Sequence, residues 1–101
     1  MTSNESTSLP TPFGDHLGRR GRHASNTQWR FDFPNGYGAS VISGPCTYGG
    51  EVGLWELAVM DASGRLCYDT PITNDVIGWL TEQDVARTLT SIAALPRKVA
   101  G

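Results

Sequence analysis

The sequence is poor in the residues that carry most enzyme chemistry. Its 101 residues include two histidines, His16 and His23, and two cysteines, Cys46 and Cys67. The four residues form neither a Cys-x-x-Cys pair nor a closely spaced pair of histidines, which are the spacings typical of structural zinc sites. The pattern therefore predicts no metal centre and no bound cofactor.

Long apolar runs are also lacking. No run approaches the roughly 18 residues that span a bilayer, and the first residues lack the charged start and apolar stretch of a signal peptide. We therefore expect a cytoplasmic protein without a membrane partner. Because thiols stay reduced in the cytoplasm, we expect Cys46 and Cys67 to be packed thiols rather than a disulfide.

Large apolar side chains are scarce in the first 28 residues, where only Leu9, Phe13 and Leu17 follow the initial methionine. A segment of this composition cannot offset an ordering entropy of roughly 1–2 kcal/mol per residue. The sequence therefore predicts a disordered amino-terminal arm over residues 1–28, or an arm that orders only on a partner. The folding unit is expected over residues 29–96, with a short tail over 97–101.

Charge is distributed unevenly between these parts. The predicted folding unit holds three arginines and eight carboxylates, whereas the arm has a small positive excess from Arg19, Arg20 and Arg22. An acidic body repels a phosphate backbone, so nucleic acid is not the expected partner. The cationic arm is the basis of the alternative, but it lacks the interleaved aromatic residues on which bases stack.

Four segments have the pattern of β-strands: residues 28–33, 38–43, 54–60 and 65–69. In the first, Trp29, Phe31 and Phe33 alternate with polar residues, which is the period of a half-buried strand. The short links between the strands cannot carry a parallel crossover, which needs about a dozen residues. The sequence therefore predicts a four-stranded antiparallel β-meander.

The glycine-rich stretch FDFPNGYGASVI raises the question of a phosphate-binding loop. Such a loop leads from a strand into a helix, whose amino-terminal N–H groups meet the anion. Here Gly36 and Gly38 lead into another strand, and no Lys-Ser or Lys-Thr follows. We therefore interpret Asn35-Gly36 as a hairpin turn with Tyr37 at its tip, where an aromatic side chain could contact a partner.

The carboxy-terminal segment predicts a helix. Thr81 and Asp84 have the spacing of a capping box, and an apolar stripe from Val85 to Ala93 follows at helical spacing. Pro96 ends the helix near Leu95 because proline cannot continue it. The expected fold class is therefore α+β, with one helix packed on one face of the sheet.

Residues 71–80 are expected to form a loop with one helical turn around 75–77. Ile77, Trp79 and Leu80 would then pack inward.

The alternation assigns strand residues to two faces. The predicted core face contains Trp29, Phe31, Phe33, Val41, Trp55, Leu57, Val59, Leu66 and Tyr68. The other face contains Ile42, Ala58, Met60 and Cys67 beside Arg30, Glu56 and Asp69. One helix covers one side only, so either the loops 44–53 and 71–80 cover the second face, or it binds a protein partner or a second copy in a homodimer.

Enzyme chemistry is not predicted. Cys46 lies in GPCTYGG, but an activated cysteine needs a histidine or a cationic neighbour, and both histidines lie in the predicted arm. Turn and cap positions explain Asp61, Asp69 and Asp75 without a catalytic carboxylate pair.

The run FDFPNGYGASVI, then GLWELAV, YDTPIT-DV-G-L and the final IAALP, resembles a group of small uncharacterised proteins encoded by phages of actinobacteria. The resemblance covers roughly residues 31–96 and carries no catalytic signature. It implies a phage product made in the cytoplasm of a bacterial host. Accessory phage proteins of this kind often bind a host protein or block a defence system.

The sequence therefore predicts a non-enzymatic protein-interaction module. The candidate contact residues are Tyr37, Ile42, Tyr48, Trp55 and Met60. One alternative is a minor virion protein. Another is a nucleic-acid-associated protein that uses Arg19, Arg20, Arg22 and Arg30.

Overall fold

The computed structural model describes residues 9–23, 25–44, 52–67, 70, 72 and 76–97. The elements are β1 (Leu9–Thr11), β2 (Gly14–His23), β3 (Asn26–Asp32), β4 (Tyr37–Ser43), β5 (Trp55–Asp61), β6 (Ile77–Leu80) and α1 (Glu82–Ala93). All neighbouring strands are antiparallel and their order in the sheet follows the chain. The predicted α+β class with an antiparallel sheet and one carboxy-terminal helix is confirmed, but the described sheet is open and has six strands rather than four.

The first two strands lie in the segment for which the sequence predicted a disordered arm. β2 pairs with β3 from Arg19–Arg30 to His23–Asn26, so the backbone groups of a polar segment find partners in the sheet. Phe13, in the turn between β1 and β2, is buried with 1% of its surface exposed. The prediction of disorder was wrong for residues 9–23 because strand pairing and one buried aromatic side chain compensate for their polar composition.

Phe13 also connects the first hairpin to the far side of the sheet. Its ring meets Trp55 of β5 edge-on at 4.8 Å between centroids and lies 6.2 Å from Phe31. The sheet therefore curls so that the β1–β2 turn packs over the core.

The core lies between the sheet and α1. Cross-strand pairing aligns Trp29, Val41 and Leu57 in one row and Phe31, Ala39 and Val59 in the next. Val85, Leu89 and Ile92 of α1 cover these rows and are fully buried. Burial of each such side chain contributes roughly 1.5–3 kcal/mol, so this layer supplies most of the hydrophobic stabilisation.

The two residues after the β5 turn occupy faces opposite to those predicted. Leu66 forms a bridge with Met60 and is 42% exposed, whereas Cys67 is 7% exposed in the core and its N–H donates to the Val59 carbonyl. The tight turn at Asp61, whose Oδ1 accepts from the N–H of Arg65, sets this register. A one-residue shift exchanges the faces of a strand, so the predicted positions of Leu66 and Cys67 were wrong.

In the described part of the predicted fourth strand, the pairing is the bridge between Leu66 and Met60. Tyr68 and Asp69 lie outside the described residues.

β6 was not predicted. Its residues pair with β5 as Trp55–Leu80 and Leu57–Ile77, with a register shift between them. Trp79 has a positive φ of 60° and is 63% exposed, so the expectation that it packs inward was wrong. Leu80 packs against the core as expected, and Asp75 lies outside the described residues.

The predicted capping box of α1 is confirmed. The Thr81 hydroxyl accepts from the Asp84 N–H, and the Asp84 carboxylate accepts from the Thr81 N–H. The helix ends at Ala93, close to the predicted end. No helix in the described part of the chain has the length and apolar character needed to cross a lipid bilayer.

Candidate protein-interaction face

The side of the sheet opposite α1 is called the open face. Its residues on β3, β4, β5 and the following bridge line a groove of about 400 Å³: Gln28, Arg30, Ser40, Ile42, Ala58, Met60 and Leu66. Pairing brings them together, because Gln28 lies opposite Ile42, and Ser40 lies between Arg30 and Ala58. Side chains alternate between the faces of a strand, so these residues point away from the core.

The floor of the groove is apolar. Met60 is 8% exposed although it lies on the side away from α1, while Ile42 and Ala58 are partly exposed and Leu66 forms an exposed wall. The polar rim beside Ile42 consists of Gln28 and Ser40, which hydrogen-bond to each other: Gln28 Nε2 donates to Ser40 Oγ at 2.9 Å. The arrangement therefore combines an apolar floor with a polar edge.

Arg30 lies at one end of this groove and also lines a second, adjacent depression of about 550 Å³. Its guanidinium lies beside Gly64 in the turn after β5. The Nε atom is buried, and the structure of the described residues gives its N–H no hydrogen-bond acceptor. A buried donor without an acceptor costs roughly 1–3 kcal/mol.

The carboxylate next to Arg30 is engaged elsewhere. Asp32 Oδ2 accepts from Arg19 Nη2 at 2.7 Å, and Arg19 pairs directly with Arg30 across β2 and β3. Both members of the Arg19–Asp32 pair are substantially exposed, so the pair contributes at most about 1 kcal/mol. Two cations and one carboxylate therefore share this corner of the open face.

The structure separates the predicted contact residues. Ile42 and Met60 lie on the open face, whereas Tyr37 and Trp55 are partly buried against the core on the other side. Tyr37 begins β4 and its carbonyl accepts from the Phe33 N–H, so it belongs to the ladder rather than the loop tip. The expectation of a hairpin between two strands is confirmed, the expected position of Tyr37 at the tip was wrong, and Tyr48 lies outside the described residues.

The four arginines predicted for nucleic-acid binding also divide between two faces. Arg19 and Arg30 pair with each other on the open face, whereas Arg20 pairs with Trp29 and Arg22 with Thr27 on the face that carries the core. Arg20 and Arg22 are exposed and line a depression of about 420 Å³ with Leu9, Gly21 and Thr27. The structure therefore does not form one surface from the four cations.

His16 is held against α1 rather than on a mobile arm. Its Nε2 lies 3.0 Å from Thr90 Oγ1, and its ring meets Phe33 edge-on at 6.0 Å. Cys67 is a core thiol, and Cys46 lies outside the described residues. Among the residues that the structure describes, no three His, Cys, Asp or Glu side chains group closely enough to hold a metal ion.

Comparison with known proteins gave no match to a family model, to a curated protein or to a solved structure. The open face is therefore the feature from which we infer a function. Alternation of residues predicted Ile42, Ala58 and Met60 there. Leu66 was missed because the length of the turn after β5 sets its face.

Proposed function

We propose that the protein is a non-enzymatic interaction module that binds another protein across the open face. The observation that carries this proposal is the apolar groove on the side of the sheet that α1 does not cover. Ile42, Ala58, Met60 and Leu66 supply its apolar surface. An apolar surface of this kind gains free energy when a partner removes it from water.

The composition of the groove supports a protein as the partner. Methionine and arginine are enriched in the cores of protein–protein interfaces, and polar residues surround them. Here Met60 and Arg30 lie in the groove, and Gln28 and Ser40 lie at its edge. A shallow surface of this shape favours a protein segment over a small molecule, which binds in a deeper and more enclosed pocket.

The resemblance to small proteins of actinobacterial phages suggests the context. Under this proposal the chain is an accessory phage protein in the bacterial cytoplasm, and its partner is a host or defence protein. The resemblance supports this identification of the partner, whereas the groove supports the binding mode.

The test uses the full chain as bait in an extract of an actinobacterial host. Leu66→Asp and Ala58→Arg place a charge in the groove, whereas Ser91→Asp places one on the exposed side of α1 as the matched control. We expect a specific host protein to be retained by the wild type and by Ser91→Asp, and to be lost with both groove variants. Thermal unfolding of each variant verifies that the fold is kept.

Retention that is unaffected by the groove variants would contradict the proposal, as would the absence of any specifically retained protein.

A second candidate function is nucleic-acid association, favoured by the exposed pair Arg20 and Arg22. It predicts retention on single-stranded DNA that weakens steeply with salt, because phosphate contacts release counterions. The double variant Arg20→Gln, Arg22→Gln should then abolish retention, while the groove variant Leu66→Asp should preserve it. Equal retention of the double variant and the wild type would exclude this candidate.

A further inference from the structure

We infer that Arg30 binds a carboxylate of the partner, so that the segment docking in the groove presents an Asp or Glu side chain beside a large apolar one. This inference rests on the proposed function and specifies the chemistry of the partner. It follows from three features of the open face: an incompletely bonded guanidinium, a carboxylate already engaged by another arginine, and an adjacent apolar floor.

The first feature is the hydrogen bonding of Arg30. Its Nε–H is buried without an acceptor in the described structure, and the neighbouring polar groups Gln28 and Ser40 bond to each other. A guanidinium presents its donors as a planar fork that matches a carboxylate. Because Arg30 lines both depressions, an incoming carboxylate can bind the part of this fork that faces them.

The second feature is the local charge. Asp32 is bound to Arg19, and the two ion pairs found among the described residues, Arg19–Asp32 and Asp84–Arg87, do not include Arg30. Arg19 and Arg30 lie side by side across β2 and β3. The corner therefore carries a positive excess that attracts an anionic group.

The third feature is the apolar floor next to that charge. Ile42, Ala58 and Met60 line the same groove as Arg30, and burying them requires apolar groups from the partner. A phosphate backbone would meet the cation but leave this floor exposed. A protein segment with adjacent acidic and apolar side chains matches both parts, and exclusion of water would strengthen the ion pair.

The test is a selection of displayed random peptides on the immobilised full chain. We expect wild-type selections to be enriched in Asp or Glu next to Leu, Ile, Phe or Met. The selections on Arg30→Gln should lose the acidic preference because glutamine lacks the charge, whereas those on Arg30→Lys should show a weakened preference because lysine keeps the charge but lacks the fork. Arg20→Gln, which removes an equal charge on the other face, should retain the preference.

The strongest selected peptide then provides a double-mutant cycle. Changing its acidic residue to the corresponding amide should weaken binding to the wild type at least about tenfold and to Arg30→Gln less than about twofold, because the two changes remove the same contact. Equal weakening on both proteins would overturn the assignment of Arg30.

The outcomes separate this inference from the proposed function. If the selected peptides lose binding to Leu66→Asp but show no preference for acidic residues, the inference is overturned and the proposed function stands. Failure to select any peptide sensitive to Leu66→Asp would overturn both. If sedimentation shows a dimer that dissociates with Leu66→Asp, the partner is a second copy of the chain and the inference of a foreign segment is overturned. Binding of single-stranded DNA that is lost with Arg30→Gln would also overturn the inference.

Discussion

The side chain of Asn35 binds the carboxy-terminal end of α1, where its Nδ2 donates to the Ile92 carbonyl at 2.8 Å. The same nitrogen lies 3.1 Å from the Leu95 carbonyl, while Oδ1 accepts from the Tyr37 N–H at 3.0 Å. The last turn of α1 has no basic residue, and its Ile92 carbonyl accepts from Asn35 as well as from the Leu95 N–H. Asn35 therefore joins the β3–β4 hairpin to the end of the helix.

Replacing Asn35 with Asp should destabilise the fold. Aspartate keeps the acceptor for Tyr37 but loses the donor to the helix, and its charge is unfavourable near the negative end of the helix dipole. We expect a loss of about 1–3 kcal/mol in the free energy of unfolding, measured in urea, because the carbonyls of Ile92 and Leu95 lose the Asn35 donor. Asn35→Ala, which removes both bonds, should fall in the same range, and an unchanged stability of Asn35→Asp would show that the bonds from Asn35 to the end of α1 do not stabilise the fold.

The two roles of Asn35 differ in how far the sequence can predict them. Asn-Gly between two apolar runs indicates a hairpin because the preference for positive φ is local, and Gly36 does adopt a φ of 89°. The bond to Ile92 joins residues 57 positions apart and depends on how α1 lies on the sheet. Local patterns predicted the hairpin and the helix, whereas tertiary packing determines the contact between them.

Two glycines of β2 provide a test of the first hairpin. A Cβ at Gly18 would lie 2.8 Å from Cε2 of Phe31, whereas a Cβ at Gly21 would meet no atom within 4 Å. We expect Gly18→Ala to lower the free energy of unfolding by about 1–3 kcal/mol through overpacking. Gly21→Ala should change it by no more than about 0.5 kcal/mol. Equal effects of the two substitutions on thermal and urea unfolding would indicate that β2 is not packed on β3.

The same glycines explain why the prediction of disorder from composition was wrong for residues 9–23. A segment rich in Gly, Arg and His predicts disorder when its own apolar content is counted. Gly18, however, allows β2 to approach the Phe31 ring, and Phe13 supplies the one large side chain that the hairpin needs. The stabilising partner is a neighbouring strand, and the composition of the segment carries no information about it.

The buried position of Cys67 predicts that its thiol reacts slowly with reagents in the native state. In a Cys46→Ser variant, so that only Cys67 is measured, the reaction with a disulfide reagent should be at least about tenfold slower in the native state than in urea. The reason is that a buried group reacts only through local or global opening. The reverse variant, Cys67→Ser, reports on Cys46 as a comparison. Native and unfolded rates that agree would place Cys67 on the open face, as the sequence had predicted.

Strand alternation predicted correctly which residues share a face where it is uninterrupted, and it failed beyond the first irregular turn. Ile42, Ala58 and Met60 keep the period of two within their strands, so their common face followed from the sequence. Leu66 and Cys67 exchange faces because the bonds of Asp61 set the length of the turn. Trp55 lies on the core face as predicted, where it contacts Phe13 and packs, partly buried, against the core.

Asp84 gives α1 a defined dependence on pH. Hydrogen bonds from the backbone N–H and hydroxyl of Thr81, and then the Arg87 guanidinium, hold the pKa of Asp84 below its ordinary value. A carboxyl group whose pKa is lowered by folding stabilises the protein above its unfolded pKa of about 3.9, and this contribution is lost as the pH falls through the folded pKa. Stability from this source should therefore be constant from pH 7 to about 5 and decline below about 4.

Urea unfolding of the wild type and of Asp84→Asn across this range tests the assignment. We expect the wild type to be more stable at pH 7 and the difference to shrink below pH 4, because protonation gives the wild type the same neutral cap as the variant. Thr81→Ala should cost about 1 kcal/mol at pH 7 through loss of the N-cap. A difference between the wild type and Asp84→Asn that stays constant down to the acid limit would show that the charge of Asp84 does not stabilise α1.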